Sequence, residues 1–200
     1  MNLLAHCLLA HRSGTSFAGQ ILGDMIKGRL VGDYPAPIEQ GIALHRAIDR
    51  ISDDHPAHRD LRRQFAPPLR RYAGILVDIG FDASLARAWP AYHSDDLRRF
   101  TQMAQDQVIA EWPAHAPVPA GRMQGLGRVM ADYQRPRGIQ RALDSVASRL
   151  RRDNPVGEAL PRLEALEPLF DEALASLVTD LEAHVCLLVR TTDQPPASAT

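Results

Sequence analysis

Apolar residues along the chain return at helical spacing and nowhere alternate over a run bounded by turn residues, so the pattern predicts helices and no sheet. A first helix is expected over Leu3 to His11, broken at Ser13-Gly14, and a second from Ser16 as N-cap to Gly28 as stop. Pro35 and Pro37 mark a loop before a third helix, Ile38 to Ser52, and a short basic helix follows near Ala57 to Phe65. Pro67-Pro68 then opens a long helix that runs to about Trp89, where Pro90 halts it. The remaining periodic segments are Asp95 to Trp112, Gly121 to Tyr133, Pro136 to Arg151 and Leu160 to about Arg190. The prolines between Pro113 and Pro119 fall in a loop inside the domain, because no shift in composition accompanies them. Residues 191–200 are polar and rich in Pro, Ala and Ser, the composition of a frayed tail. The expectation is one compact all-α domain over residues 1–190.

A content of 45% apolar and 24% charged residues suits a globular chain of 200 residues with one sizeable core. No apolar stretch approaches the roughly 18 to 20 residues that a membrane span requires. The apolar opening run has no basic segment before it and is interrupted by His6 and His11, so it reads as a mature helix and not as a leader. Cys7 and Cys186 form no CxxC pair, which excludes a zinc knuckle and a disulfide framework and fits a reducing cytoplasm. A net charge of −1 gives no sign of nucleic acid or a membrane surface as partner. Lys27 is the one lysine among 23 basic residues, an Arg bias read as a habit of composition.

Winding each helix at about 100° per residue brings out the informative feature. Ile38, Ile42, His45 and Asp49 share a stripe of the third helix, and the i, i+4 spacing of His45 and Asp49 lets both meet one ion or ligand. Ile75, Asp78, Asp82, Leu85 and Trp89 share a stripe of the long helix, Asp24 falls in line with Phe17, Ile21 and Gly28, and His6 lies beside Leu3 and Ala10. Burying an unpaired carboxylate costs several kcal/mol or forces it to take up a proton. Acids and imidazoles on four core-facing stripes therefore call for a shared cation, and an Asp/His donor set suits Mn²⁺, Mg²⁺ or Fe²⁺ better than thiolate-seeking ions. The competing explanations are plain ones: Asp24 paired with Lys27 or Arg29, His6 as a hydrogen-bonded core histidine, and His45/Asp49 as a solvated ion pair.

The segments Met1-Asn2-Leu3-Leu4-Ala5-His6, Gly19 to Asp24 and Gly41-Ile42-Ala43-Leu44-His45-Arg46-Ala47-Ile48-Asp49, followed by Asp53, Arg71, Asp78 to Asp82, Leu85 and Trp89, resemble the acyl carrier protein phosphodiesterases. The resemblance covers nearly the first half of the chain; the second half is similar in helical character and length. It implies an HD-phosphohydrolase-like fold and a Mn²⁺ site, with metal binding at Asp24, His45, Asp49, Asp78 and Asp82, and His6 as a further ligand. It also implies hydrolysis of the phosphodiester between 4′-phosphopantetheine and a serine of holo-acyl carrier protein, in the cytoplasm and without nucleic acid or membrane. On this reading Asp49 and Asp82 act with Arg46 in catalysis, and Arg59, Arg62, Arg63, Arg70 and Arg71 form a patch for an acidic carrier protein. The chain departs from the family in reading Asp82-Ala83-Ser84-Leu85, with Ala83 where the family has a histidine. That departure keeps open a catalytically impaired relative that binds acyl carrier protein or another partner. An HD-type hydrolase of another phosphoester is the third alternative, although no Gly-rich phosphate loop or base-stacking aromatic set supports it.

Overall fold

The computed structural model describes residues 3–192 and is all-α, as the periodicity predicts. Among the described residues there are ten α-helices: α1 (Leu3–Ser13), α2 (Phe17–Leu22), α3 (Ala36–Asp54), α4 (Pro56–Arg63), α5 (Ala73–Arg87), α6 (Leu97–Glu111), α7 (Leu126–Asp132), α8 (Pro136–Arg149), α9 (Leu160–Ala165) and α10 (Glu167–Thr192). From residue 193 onward the expected tail lies outside the described residues.

Helices α1 and α5 form the centre, and their sequences say why. Leu4 through Ala10 are buried without interruption, and so are Ile79 through Ala86, so each helix is enclosed on every side instead of carrying one wet face. The 26-residue α10 packs along α5 and also meets α1, α3 and α4. Phe170 of α10 seats its ring directly on Gly80 of α5 and meets Phe81 edge-on, with ring centroids 5.3 Å apart. Around this centre α2 lies across α3, α6 against α2 and α7, and α8 against α7 and α9.

Several element ends differ from the expectation. The second helix stops at Leu22 and not at Gly28, because the chain turns at residues 23–25 and Gly28 sits in the left-handed region at φ 84° within the following loop. The segment after Pro68 begins as a 3₁₀ turn, Leu69–Tyr72, before α5. Gly121 to Tyr133 is a 3₁₀ turn and a short helix separated by Gly125 at φ 87°. The stretch from Leu160 to Arg190 is two helices that break at Leu166, with Pro161 and Pro168 in their first turns, where proline's missing N–H costs nothing.

The crossing of α2 on α3 delivers the loop that follows α2 to the face of α3 carrying His45. It depends on two glycines in backbone contact: a Cβ on Gly19 would lie 2.7 Å from Gly41 Cα and 2.7 Å from the Ile38 carbonyl oxygen. Neither atom belongs to a side chain that can swing away. In Gly19→Ala the helix-propensity gain of about 1 kcal/mol is outweighed by forced separation of the helices, for a net loss of about 1–2 kcal/mol, read as a lower urea midpoint at unchanged m-value.

Candidate metal centre

His6 of α1, His45 and Asp49 of α3 converge so that one ligand atom from each lies within 4.8 Å of the others. The imidazoles of His6 and His45 stack, with centroids 4.2 Å apart and planes 23° apart. Asp49 lies between them: one oxygen is 3.0 Å from His6 Nε2 and the other 3.1 Å from His45 Nε2. Asp24, on the turn after α2, reaches His45 Nε2 at 3.4 Å. Both histidines are nearly inaccessible, at 3% and 4% exposure, while the Asp49 side chain is 41% exposed and opens the cluster to solvent.

Neighbouring residues hold this geometry in place. Gly23 leaves the space that the His45 ring fills, since a Cβ there would lie 2.2 Å from His45 Cγ. Gln20, buried on α2, places its amide oxygen 2.9 Å from His6 Nδ1. Gln20 and Asp49 thus hold the two ring nitrogens of His6 from opposite sides and fix the ring's orientation, with Nε2 facing the cluster. Arg46 donates to the carbonyls of Gly28 (2.7 Å) and Ile26 (2.8 Å), tying the loop after α2 onto α3 beside Asp24.

The electrostatics follow from stacking two imidazoles against acids. Burial disfavours a charge on His45, but the hydrogen bonds and charges of Asp24 and Asp49 outweigh it and raise its pKa to about 9. Burial and the adjacent His45 push His6 the other way, against the pull of Asp49. Asp49 is opposed by burial yet held well below the usual carboxylate range by His45 and His6, and the His45 hydrogen bond lowers Asp24. Without a metal, then, the positive charge of the histidine pair sits on His45.

The structure thus brings together four of the residues expected from sequence, His6, Asp24, His45 and Asp49. Asp24 enters differently from the expectation: because α2 ends at Leu22, its side chain is 68% exposed and does not sit on a core-facing stripe. Asp78 stands apart from the trio, 3.1 Å from Nε2 of the fully buried His58, which is also 3.8 Å from Asp53. Asp82, expected among the ligands and catalytic acids, is instead fully buried and accepts the amide hydrogens of Leu4 (2.8 Å) and Ala5 (3.2 Å), capping the start of α1. Burial raises its pKa to about 7 in spite of those hydrogen bonds. Arg46, expected to act on substrate, has its guanidinium engaged by the loop carbonyls. In the expected carrier-protein patch Arg59 pairs with Asp54 and Arg63 with Asp60, Arg62 lies 3.8 Å from Asp53, and Arg71 sits 5.0 Å from the ring centre of Tyr72.

A cleft of about 830 Å³ opens beside the cluster and is lined by Asp24, Asp49 and Asp78. Its lining also includes Arg122, Arg128, Arg141 and Arg149, from α7, α8 and the turn before α7, none of which the sequence pattern singled out. Gln20 and His58 were missed as well. His58 had a readable signal, since it shares a buried stripe with Leu61 and Phe65; Gln20 had none, because its role depends on how α2 crosses α1. Ala83, 3% exposed, lines a small crevice with Gly80, Ile139, Leu163 and Phe170, and neither histidine nor Asp49 borders it.

The sequence model of the family described as acyl carrier protein phosphodiesterase matches residues 1–181. Proteins named acyl carrier protein phosphodiesterase are similar over most of the chain. The one from Klebsiella pneumoniae strain 342 is 36% identical over 169 residues, 83% of this chain and 82% of that protein. Those from Enterobacter sp. strain 638 and Escherichia coli O6:K15:H31 are 33% identical over 169 residues and 32% over 187, the latter covering 92% of this chain and 88% of its own length. No solved structure matches. No helix among the described residues is long and apolar enough to cross a membrane.

The proton on His45 has a measurable consequence. Its folded-state pKa lies above the unfolded value of 6.5, so the stability it contributes is fully present below pH 6.5 and is lost as pH rises through about 9. Metal-free protein should show a urea midpoint that falls between pH 7 and 9.5, and His45→Gln should flatten that limb. An equal fall in both proteins would show that the proton sits elsewhere.

Proposed function

The chain belongs to the acyl carrier protein phosphodiesterase family, and on that footing we propose that it is a metal-dependent hydrolase of holo-acyl carrier protein that releases 4′-phosphopantetheine and leaves the apo-protein. The carrying observation is the convergence of His6, His45 and Asp49 at the edge of a large cleft. Two imidazole nitrogens and a carboxylate oxygen fit Mn²⁺ or Fe²⁺, with Mg²⁺ less well served by nitrogen donors. The pattern of three protein donors with one solvent-facing acid leaves room for water and substrate, as a catalytic metal site needs. When bound, such an ion polarises a phosphoryl oxygen and brings the pKa of a coordinated water toward neutrality.

The protein's own groups then have separable tasks. His6 is held in register by Gln20, and His45 gives up its proton when its Nε2 becomes a ligand. Asp49, the most accessible of the trio, orients the attacking water and accepts its proton. The water oxygen bonds to phosphorus, the bond from phosphorus to the serine oxygen breaks, and that oxygen takes up a proton to regenerate serine. Asp78, oriented by His58, faces the same cleft and adds a second acceptor for water near the reacting phosphate. In this account Asp82 and Arg46 act at one remove, the first by fixing the start of α1 two residues before His6 and the second by holding the loop that carries Asp24.

Purified protein incubated with holo-acyl carrier protein and Mn²⁺ should shorten the carrier by one phosphopantetheine in an intact-mass measurement, and chelation should stop it. Asp49→Asn should slow the reaction by about 10²–10⁴-fold, the usual contribution of a general base. A carrier of unchanged mass with the metal-loaded wild type would refute the activity.

Ala83 does not count against catalysis, because its methyl group faces the packing of α5 on α8, α9 and α10. Ala83→His should therefore restore nothing; it should overpack that region and cost about 1–3 kcal/mol of stability. A variant that gains activity without loss of thermal stability would place position 83 in the site.

A further inference from the structure

We propose that the cleft arginines of the second half of the chain, Arg122 and Arg128 with Arg141 and Arg149, form the surface on which the acidic carrier protein docks. The proposal rests on the phosphodiesterase reading above and assigns the partner contact to residues different from those the sequence pattern suggested.

Three arginines of the expected patch, Arg59, Arg62 and Arg63, lie within ion-pair distance of local acids. Arg59 and Arg63 have carboxylate partners on their own short segment, and none of Arg59, Arg62, Arg63, Arg70 and Arg71 lines the cleft. The cleft arginines are in the opposite condition. All four are exposed, and the side chains of Arg122 and Arg128 form no ion pair or hydrogen bond among the described residues. Arg149 donates through Nε to the Ser145 carbonyl of its own helix, which leaves its charge uncompensated. Arg141 alone is paired, with Asp132, an acid also 3.9 Å from Arg135.

The cleft lining holds four arginines and four aspartates, but they are segregated: Asp24, Asp49 and Asp78 lie on the side of the metal cluster, while on the side of α7 and α8 the four arginines face the single acid Asp132, which leaves that side cationic. Charge gathered in a concave site draws an anionic partner toward the reacting groups and raises its encounter rate. Two further features favour a protein over a nucleic acid or a bare phosphate. Ile75 and Val129, 37% and 47% exposed, lie in the same lining, so the arginines surround apolar surface of the kind that forms the middle of a protein interface. Tyr133, the aromatic ring in that lining, is buried and offers no face for a base to stack on. Arginine adds forked donors that meet a carboxylate through paired hydrogen bonds, the match an acidic helix face requires.

The test separates binding from chemistry by using apo-acyl carrier protein, which lacks the scissile bond. Its dissociation constant is measured at low and moderate salt for the wild type, for Arg122→Glu/Arg128→Glu and for Arg59→Glu/Arg63→Glu, with thermal unfolding of each to establish the fold. The cleft pair should weaken binding by about tenfold or more and flatten the salt dependence, with Arg122→Gln/Arg128→Gln intermediate, whereas the α4 pair should stay within about twofold. Equal losses in both pairs, a loss confined to the α4 pair, or no binding of apo-carrier by the wild type would overturn the docking surface. A wild type that binds apo-carrier through Arg122 and Arg128 but leaves holo-carrier intact would refute the hydrolase and keep the surface. Cleavage indifferent to both arginines would do the reverse.

Discussion

Two stacked imidazoles and a carboxylate share a space of less than 5 Å, and both rings are almost wholly removed from water. Two protonated rings at that separation would repel strongly in a medium that screens poorly, and two neutral rings would leave the half-buried Asp49 carboxylate without a cationic partner. The cluster is stable with a positive charge among its members, which the proton on His45 supplies. Much of the surrounding structure reads as a consequence. Gly19 and Gly41 let α2 approach α3, Gly23 admits the His45 ring, Gln20 orients the His6 ring, and Arg46 fastens the loop that brings Asp24 within reach.

The same demand extends to the start of α1. A helix placed at the centre of the fold has amide hydrogens at its first turn that no carbonyl of its own can satisfy. Asp82 meets two of them from the neighbouring central helix, so the acid that would be most costly to bury is the one that makes burial of the helix start possible. His6 lies one or two residues beyond those amides, and any drift of α1 along α5 would carry its Nε2 away from Asp49. Two acids of different surroundings thus share one sequence stripe on α5, Asp82 inside and Asp78 at the cleft, separated by a single turn of helix.

That division marks the limit of what the sequence could disclose. Helical winding put His45 and Asp49 on one face, as the structure does, because both lie well within one helix, where 3.6-residue periodicity holds. It placed Asp24 on a buried stripe only by extending α2 past its true end at Leu22. It also treated Asp82 as equivalent to Asp78, since a wheel reports which face a residue is on and not what lies across from it. The single helix expected from Leu160 to Arg190 is two for a related reason: apolar spacing continues through Leu166, while the prolines at 161 and 168 belong to first turns that a periodicity count does not distinguish from interruptions. Gln20 and the cleft arginines were illegible because their significance arises from helices far apart in the chain meeting in space.

The cleft joins two contributions of different kinds. Asp24, Asp49 and Asp78 of its lining come from the segment that runs from the turn after α2 into α5, and its arginines from the segment around α7 and α8; the match to the family spans both. Hydrolysis of a phosphodiester needs donors fixed to within fractions of an ångström, and the central helices supply that rigidity through packing enclosed on all sides. Recognition of an acidic surface tolerates looser placement, because Coulomb attraction falls off slowly and long arginine side chains adjust to their partner. A short helix and an amphipathic one at the periphery suffice for that. If the proposed docking surface is right, the reaction and the choice of partner are built on different parts of the chain, the first on the neighbours of His6 and the second on the charges that α7 and α8 bring to the cleft.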